Sequence, residues 1–325
     1  MKSFLKIFQG SKKKDEQDVP SATSRAVAKR ITSILGLRSL ESMPAQAARA
    51  FSLASDPKAG VPQFVSLIEA DDALGARVVR IANSVYFLRG DPVKDIEQAV
   101  VTIGIDELRS MLSATMLESM LKGKEKEREY IWANSVGTAI GARLLAKRTT
   151  NLAPSEAFLC GLVHDVGKLI MLRRDPMTYR KVLSLVSSGE KDFFEAEEEL
   201  FEINHVEVGK WAAESWNFPP VTISSINYHH RSYQQLDNQI EALATGSGEE
   251  IKIELSLPLI VKIADELCHS IGIGHPGGFS GFQARCRAQL PLLAQILAVS
   301  NEDLEKICAQ IHSMFEQEIG IYSHA

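Results

Sequence analysis

The stretch Phe158-Leu159-Cys160-Gly161-Leu162-Val163-His164-Asp165-Val166-Gly167-Lys168-Leu169-Ile170 sets an adjacent histidine and aspartate in otherwise apolar sequence. At helical periodicity Leu159, Leu162, Val163, Val166, Leu169 and Ile170 cover most of the circumference, which predicts a helix buried on nearly all sides. What is left is one narrow polar stripe: Gly161, His164 with Asp165, and Lys168. A buried carboxylate without partners is costly. The stripe therefore calls for a metal, a ligand or a charge network facing it, and Lys168 supplies only part of that.

Partner groups follow downstream. His205 lies in Asn-His-Val-Glu-Val-Gly, His229 and His230 in Asn-Tyr-His-His-Arg, and Asp265 in Val-Lys-Ile-Ala-Asp-Glu-Leu. Imidazoles and carboxylates from separate helices are the ligand chemistry of iron, manganese or zinc. This order of residues resembles the HD superfamily of metal-dependent phosphohydrolases, and within it the HDOD (HD-related output domain) proteins. Further segments carry the resemblance: Ser42-Met-Pro-Ala-Gln, residues 71–84, residues 96–104 and Trp132-Ala-Asn-Ser135, so that it spans roughly 40 to 272.

The resemblance implies an all-α, two-lobed protein with a metal pocket built on His164, Asp165, His229, His230 and Asp265. Asn134, Lys168 and His205 would line the same pocket. It also implies a divalent cofactor (iron, manganese or zinc) and a signalling partner, such as a cyclic-dinucleotide enzyme or a response regulator. One position departs from the pattern. Catalytic relatives place their first histidine ligand about thirty residues before the His-Asp pair, and here Asn134, or Ser135 after a one-residue slip, stands there. A neutral amide oxygen is a weak ligand beside imidazole, and Arg231 follows the double histidine where relatives carry glutamate. We therefore expect a non-catalytic signal-transduction module acting through a protein partner or small ligand. The alternative is a metal-dependent phosphohydrolase acting on a nucleotide or cyclic dinucleotide. An Asn134→His substitution is expected to raise metal affinity.

Composition narrows the class. The chain has 325 residues, 45% hydrophobic and 24% charged, ordinary values for a globular protein. It has no apolar run long enough for a transmembrane helix. Its four cysteines are far apart, which predicts reduced thiols and a cytoplasmic location. Residues 1–30 hold eight Lys/Arg against three Asp/Glu; with a net charge of −5 overall, the remainder is acidic and unsuited to nucleic acid. Residues 1–21 read as a basic, disordered tail, with Phe4, Leu5, Ile7 and Phe8 as a weak membrane-surface foot in the second reading. Among the other histidines, His269, His275, His312 and His324 fall outside the pattern and receive no functional role, although His269 at i+4, like Lys262 at i−3, shares a helix face with Asp265 and is a candidate local partner for it.

Helix signals dominate throughout, and strand-like alternation is nearly absent. The charged run Lys122-Gly-Lys-Glu-Lys-Glu-Arg-Glu predicts a division into an N-terminal helical lobe over 22–125 and an HD-like lobe over 126–325. Asp71 and Asp72 are expected to cap one helix and Ser300 another. A single helix is expected from Ser155 to Arg173, and an amphipathic one from Asp106 to Leu121. Because neighbouring helical positions diverge by about 100°, only one of His229 and His230 should face any one site.

Overall fold

The computed structural model describes residues 22–36, 42–56, 58–84, 87–88, 90–149, 151–236, 255–276 and 278–323. The basic tail, with its two readings, and most of the segment 234–252 lie outside the described residues. Among those described every regular element is a helix, so the chain is all-α as expected.

The N-terminal part contains α1 (Ala22–Ile34), α2 (Ala45–Ser55), α3 (Val61–Glu69), α4 (Asp72–Ala82), α5 (Ile96–Ile103) and α6 (Ile105–Met120). Local chemistry accounts for their ends. The Asp71 carboxylate accepts from the N–H groups of Ala73 and Leu74 and opens α4. Asn83 closes it by bonding Val79 O at 2.9 Å and both backbone groups of Val93 at 2.8 Å. The carbonyls at the end of α2 meet a buried cation: Arg109 donates to Leu53, Ala54, Asp56 and Ala59 oxygens at 2.6–3.1 Å. Helix α6 is not amphipathic as expected. Every residue from Leu108 to Glu118 is buried, because α6 runs between α2 and α8 and takes contacts from α18 as well.

After the charged segment come α7 (Glu127–Ala146), α8 (Pro154–Val163), α9 (Val166–Arg174), α10 (Pro176–Ser187), α11 (Phe193–Phe201), α12 (His205–Ser215), α13 (Pro220–Tyr228) and the short α14 (Tyr233–Leu236). The C-terminal part holds α15 (Leu257–Ser270), α16 (Ser280–Arg287), α17 (Leu290–Ile296) and α18 (Asn301–Tyr322). Ser300 caps α18 through Asp303 N, as its sequence predicts.

Helix α7 is the spine of this part, packed against α8, α15 and α18. Gly161 is less a member of a polar stripe than a packing device. A Cβ there would come within 2.8 Å of Ala139 Cα and Thr138 O on α7, so only glycine allows this approach. A buried network ties the C-terminal helix to both parts. Arg143 of α7 donates to both Glu107 oxygens at 2.7–2.8 Å and to Glu318 of α18 at 2.5 Å, with Tyr322 joining both carboxylates. Arg77 of α4 reaches Ile321 O at 3.1 Å on the same helix.

The Ser155–Arg173 stretch is two helices, α8 and α9, with the break at His164-Asp165. Asp165 leaves helical geometry at φ −103° and ψ 17°, and its carboxylate bonds Lys168 Nζ at 2.6 Å. Adjacent side chains on a continuous helix diverge by about 100°. The break lets His164 and Asp165 turn toward one point.

Candidate metal centre

Six helices, two of them meeting at the His164-Asp165 break, deliver the side chains to that point. Asn134 comes from α7, His164 and Asp165 from the α8–α9 break, His205 from the start of α12, His229 and His230 from the end of α13, and Asp265 from α15. All are buried except His230, which is half-buried. Asp165 is the hub. His164 Nε2 lies 3.2 Å from Asp165 Oδ2, while His205 Nε2 and His229 Nε2 lie 3.4 and 3.6 Å from Oδ1. His164 Nε2 is also 3.5 Å from Asp265 Oδ1. Two sets of donor atoms lie mutually within 4.8 Å: Asp165 with His205, His229 and His230, and His164 with Asp165 and Asp265.

The sequence expectation that only one of His229 and His230 turns inward does not hold, since both belong to the first set. Helix α13 ends at Tyr228, with His229 still in helical geometry (φ −63°, ψ −23°) and His230 following it in the turn, and the two imidazoles lie against each other and against His205 at centroid distances of 4.3 to 5.6 Å.

Hydrogen bonds fix the tautomers. A carbonyl or carboxylate oxygen only accepts, so Nδ1–H donates from His164 to Gly161 O at 2.6 Å, from His229 to Ile226 O at 2.8 Å and from His205 to Glu197 Oε2 at 2.6 Å. Each Nε2 is thereby directed at the carboxylates. Yet His164, His205, His229 and His230 Nε2 and Asp165 Oδ1 are buried atoms without a hydrogen-bond partner. Buried polar atoms ordinarily find partners. A set of orphaned imidazole nitrogens around an orphaned carboxylate oxygen fits a divalent cation.

The surroundings fit it too. Glu197 on α11 takes the His205 side-chain proton, the His205 backbone N–H at 2.7 Å and the Tyr179 hydroxyl at 2.8 Å. Carboxylates placed behind a histidine in this way orient metal ligands and raise their basicity. Burial holds the Tyr179 hydroxyl well above its usual range, so it stays a donor. Burial, reinforced for His230 by the neighbouring His229 and His205 imidazoles, depresses the pKa of His229 to about 4 and of His230 below its usual range. Both rings are neutral, the form that binds metal. At His164 burial works in the same direction, but the Asp165 and Asp265 carboxylates outweigh it and raise the imidazole to about 10. Against its burial, Asp165 is held far below the usual carboxylate range by His164 and Lys168. The carboxylates thus make the pocket favourable to positive charge.

One participant escaped the sequence reading, and another was read only as a local partner of Asp265. Glu197 sits in an acidic helical run and carried no distinguishing signal. His269, assigned no functional role, is buried with Nε2 3.3 Å from Asp265 Oδ1. Its i, i+4 spacing from Asp265 was the available clue. Lys262, a candidate local partner for Asp265, instead pairs with Glu266 at 2.9 Å. Arg231 stacks on Tyr228 and is exposed.

A cavity of about 210 Å³ opens over the cluster, lined by Lys168, Phe193, Lys262, His269, Phe282 and Arg285 among others. Among the described residues no helix is long and apolar enough to cross a membrane.

Comparison with known proteins agrees with this architecture. An HDOD domain protein of unknown function from Geobacter sulfurreducens is similar at TM-score 0.68 and 26% identity, over 93% of this chain and 99% of that one. A protein from Marinobacter aquaeolei VT8, provisionally assigned to signal transduction, superposes at TM-score 0.70 with 20% identity, over 93% of this chain and 67% of its own. One from Shewanella amazonensis SB2B, provisionally assigned as a phosphohydrolase, does so at TM-score 0.61 with 22% identity, over 91% and 97%. At these identities the last two show the fold alone. An uncharacterized protein of Treponema pallidum (strain Nichols) is 26% identical over 176 residues, 54% of this chain but only 34% of that relative's length. The HDOD domain family model matches residues 40–232, more than half of the chain, and the protein belongs to the HDOD family.

Proposed function

We propose that this chain is a signal-transduction module that holds a divalent metal between Asp165, His205, His229 and His230, and binds a small phosphate-bearing ligand in the cavity above it. The observation that carries the reading is the group of buried Nε2 atoms without hydrogen-bond partners around Asp165. When bound, the metal supplies positive charge and Lewis acidity to an anionic oxygen. The chain's own residues do the rest. Glu197 orients His205, Lys168 neutralises Asp165 at 2.6 Å, and the Phe193 and Phe282 rings wall a cavity that Lys262 and Arg285 also line.

Turnover is not part of this reading, because Asn134 stands at the first ligand position and donates from Nδ2 to Asp265 Oδ1 at 3.0 Å. A second reading, metal-dependent hydrolysis of a nucleotide phosphate, is favoured by the completeness of the Asp165 set. Calorimetric titration of Mn²⁺-loaded protein with AMP, GMP and a cyclic dinucleotide, with products followed by chromatography, separates the two. The expected result is metal-dependent binding weakened by Lys262→Ala, without hydrolysis. Hydrolysis that Asp165→Asn abolishes would establish the second reading. No binding with or without Mn²⁺ would contradict both.

A further inference from the structure

A second cavity, of about 290 Å³, lies in the N-terminal part between the start of α2, α4 and the end of α6. It shares no lining residue with the cavity over the metal centre. Helix α2 begins on its wall. The N-cap is Pro44, no side chain caps the helix, and the first turn holds no acidic residue. The first intrahelical bond runs from Ala48 N to Pro44 O at 3.0 Å. The N–H groups of Gln46 and Ala47, both cavity residues, therefore have no acceptor within the helix. A helix start of this kind favours an anion.

The facing wall supplies an independent demand for a ligand. Thr115 of α6 lines the cavity and is only 7% exposed, and its Oγ1 is a buried atom without a hydrogen-bond partner. Gln46 Nε2 is in the same condition. Buried polar atoms ordinarily find partners. A hydroxyl, an amide and an uncapped helix start around one cavity all lack the same thing, an acceptor.

We infer that this cavity binds a small organic monocarboxylate, with its oxygens between the start of α2 and Thr115 and its apolar stem against Leu74, Met116 and Met120. The site is separate from the metal centre and does not depend on it. Charge selects the class. Of the two cationic wall residues, Arg77 is already engaged, donating to Ile321 O at 3.1 Å and standing 4.0 Å from Glu118. Lys122 can offset one negative charge. The acidic wall residue, Asp71, spends its carboxylate on the N–H groups of Ala73 and Leu74 at 2.9 and 3.1 Å. A phosphate dianion would face the Asp71 and Glu118 carboxylates with too little positive charge to balance it. The stem follows from the remaining wall. Leu74 and Met116 are buried and Met120 half-buried, and methionine adapts its shape to an apolar chain.

The test is calorimetric titration of the chelator-treated full chain with acetate, butyrate and hexanoate, and with hexanol and inorganic phosphate for comparison. Wild type is expected to bind one carboxylate per chain, more tightly from acetate to hexanoate, with hexanol and phosphate weaker. Gln46→Glu sets a like charge against the ligand, and Thr115→Val keeps the shape while removing the hydroxyl. Each should weaken hexanoate about tenfold or more, the effect of losing a hydrogen bond to a charged group. Lys262→Ala, in the cavity over the metal centre, should bind hexanoate as wild type does. Thermal melting shows whether each variant folds, and if Thr115→Val does not, Gln46→Glu decides. No carboxylate binding by wild type, or unchanged affinity in Gln46→Glu, would overturn the inference. So would phosphate binding more tightly than hexanoate, or a loss in Lys262→Ala, which would put the carboxylate at the metal centre.

Discussion

At the scale of single residues, the cluster is organised by what stands behind the imidazoles. His205 begins α12 under a capping box made by Asn204 and Glu207, which fixes the backbone, while Glu197 fixes the ring. Replacing Glu197 by glutamine keeps the shape and an acceptor for Tyr179 but removes the charge. Metal affinity should fall by about 10–100-fold, the usual effect of losing a carboxylate behind a ligating histidine. Chelator competition with Mn²⁺ or Zn²⁺ measures this, and unchanged affinity would mean that Glu197 serves packing only. His164 and Asp165 stood out because histidine and aspartate in apolar surroundings demand partners, whereas His205, His229, His230 and Asp265 were named from the order of residues that resembles the HD superfamily. Glu197 was not legible, since a glutamate among glutamates is ordinary until folding buries it, and His269 was legible only as an i, i+4 partner of Asp265.

At the scale of elements, the site depends on how closely α9 meets α12. Gly167 is the point of contact: a Cβ there would overlap the His205 carbonyl and approach Gly209 N within 2.8 Å. Gly167→Ala must push the start of α12 away, carrying His205 with it. Overpacking of this kind costs about 1–3 kcal/mol or more, so both melting temperature and metal affinity should drop. Gly320→Ala on the exposed face of α18 is the control, since its Cβ would meet nothing. There the substitution should be neutral or stabilise by about 0.5–1 kcal/mol. Equal behaviour of the two variants would refute the packing account. Helix existence was legible from periodicity and capping residues. The break between α8 and α9, and the turn that brings both His229 and His230 inward, were not. Periodicity averages over a turn of helix and does not register where one residue leaves it.

At the scale of the whole molecule, the centre is assembled from segments as far apart in sequence as Asn134 and Asp265, with α8, α9 and α15 packed on α7, α12 on α9, and α13 on α8 and α15. The order of motifs carried that assembly in the sequence, and the HDOD match over 40–232 agrees with it. The contribution of α18 through Arg143, Glu107, Glu318 and Tyr322 was not readable, because it joins charges that look like surface residues until they are buried together. The unfolded chain lacks the pocket, so any ion held in it must stabilise the entire fold by mass action. The gain is about 2.7 kcal/mol when free metal is a hundred times its dissociation constant. The most direct measurement is chemical unfolding of the wild type and of Asp165→Asn at increasing free Mn²⁺, Fe²⁺ and Zn²⁺. Stability of the wild type should climb with the logarithm of metal concentration and that of Asp165→Asn should stay flat. A folded wild type indifferent to all three metals would contradict the metal centre outright.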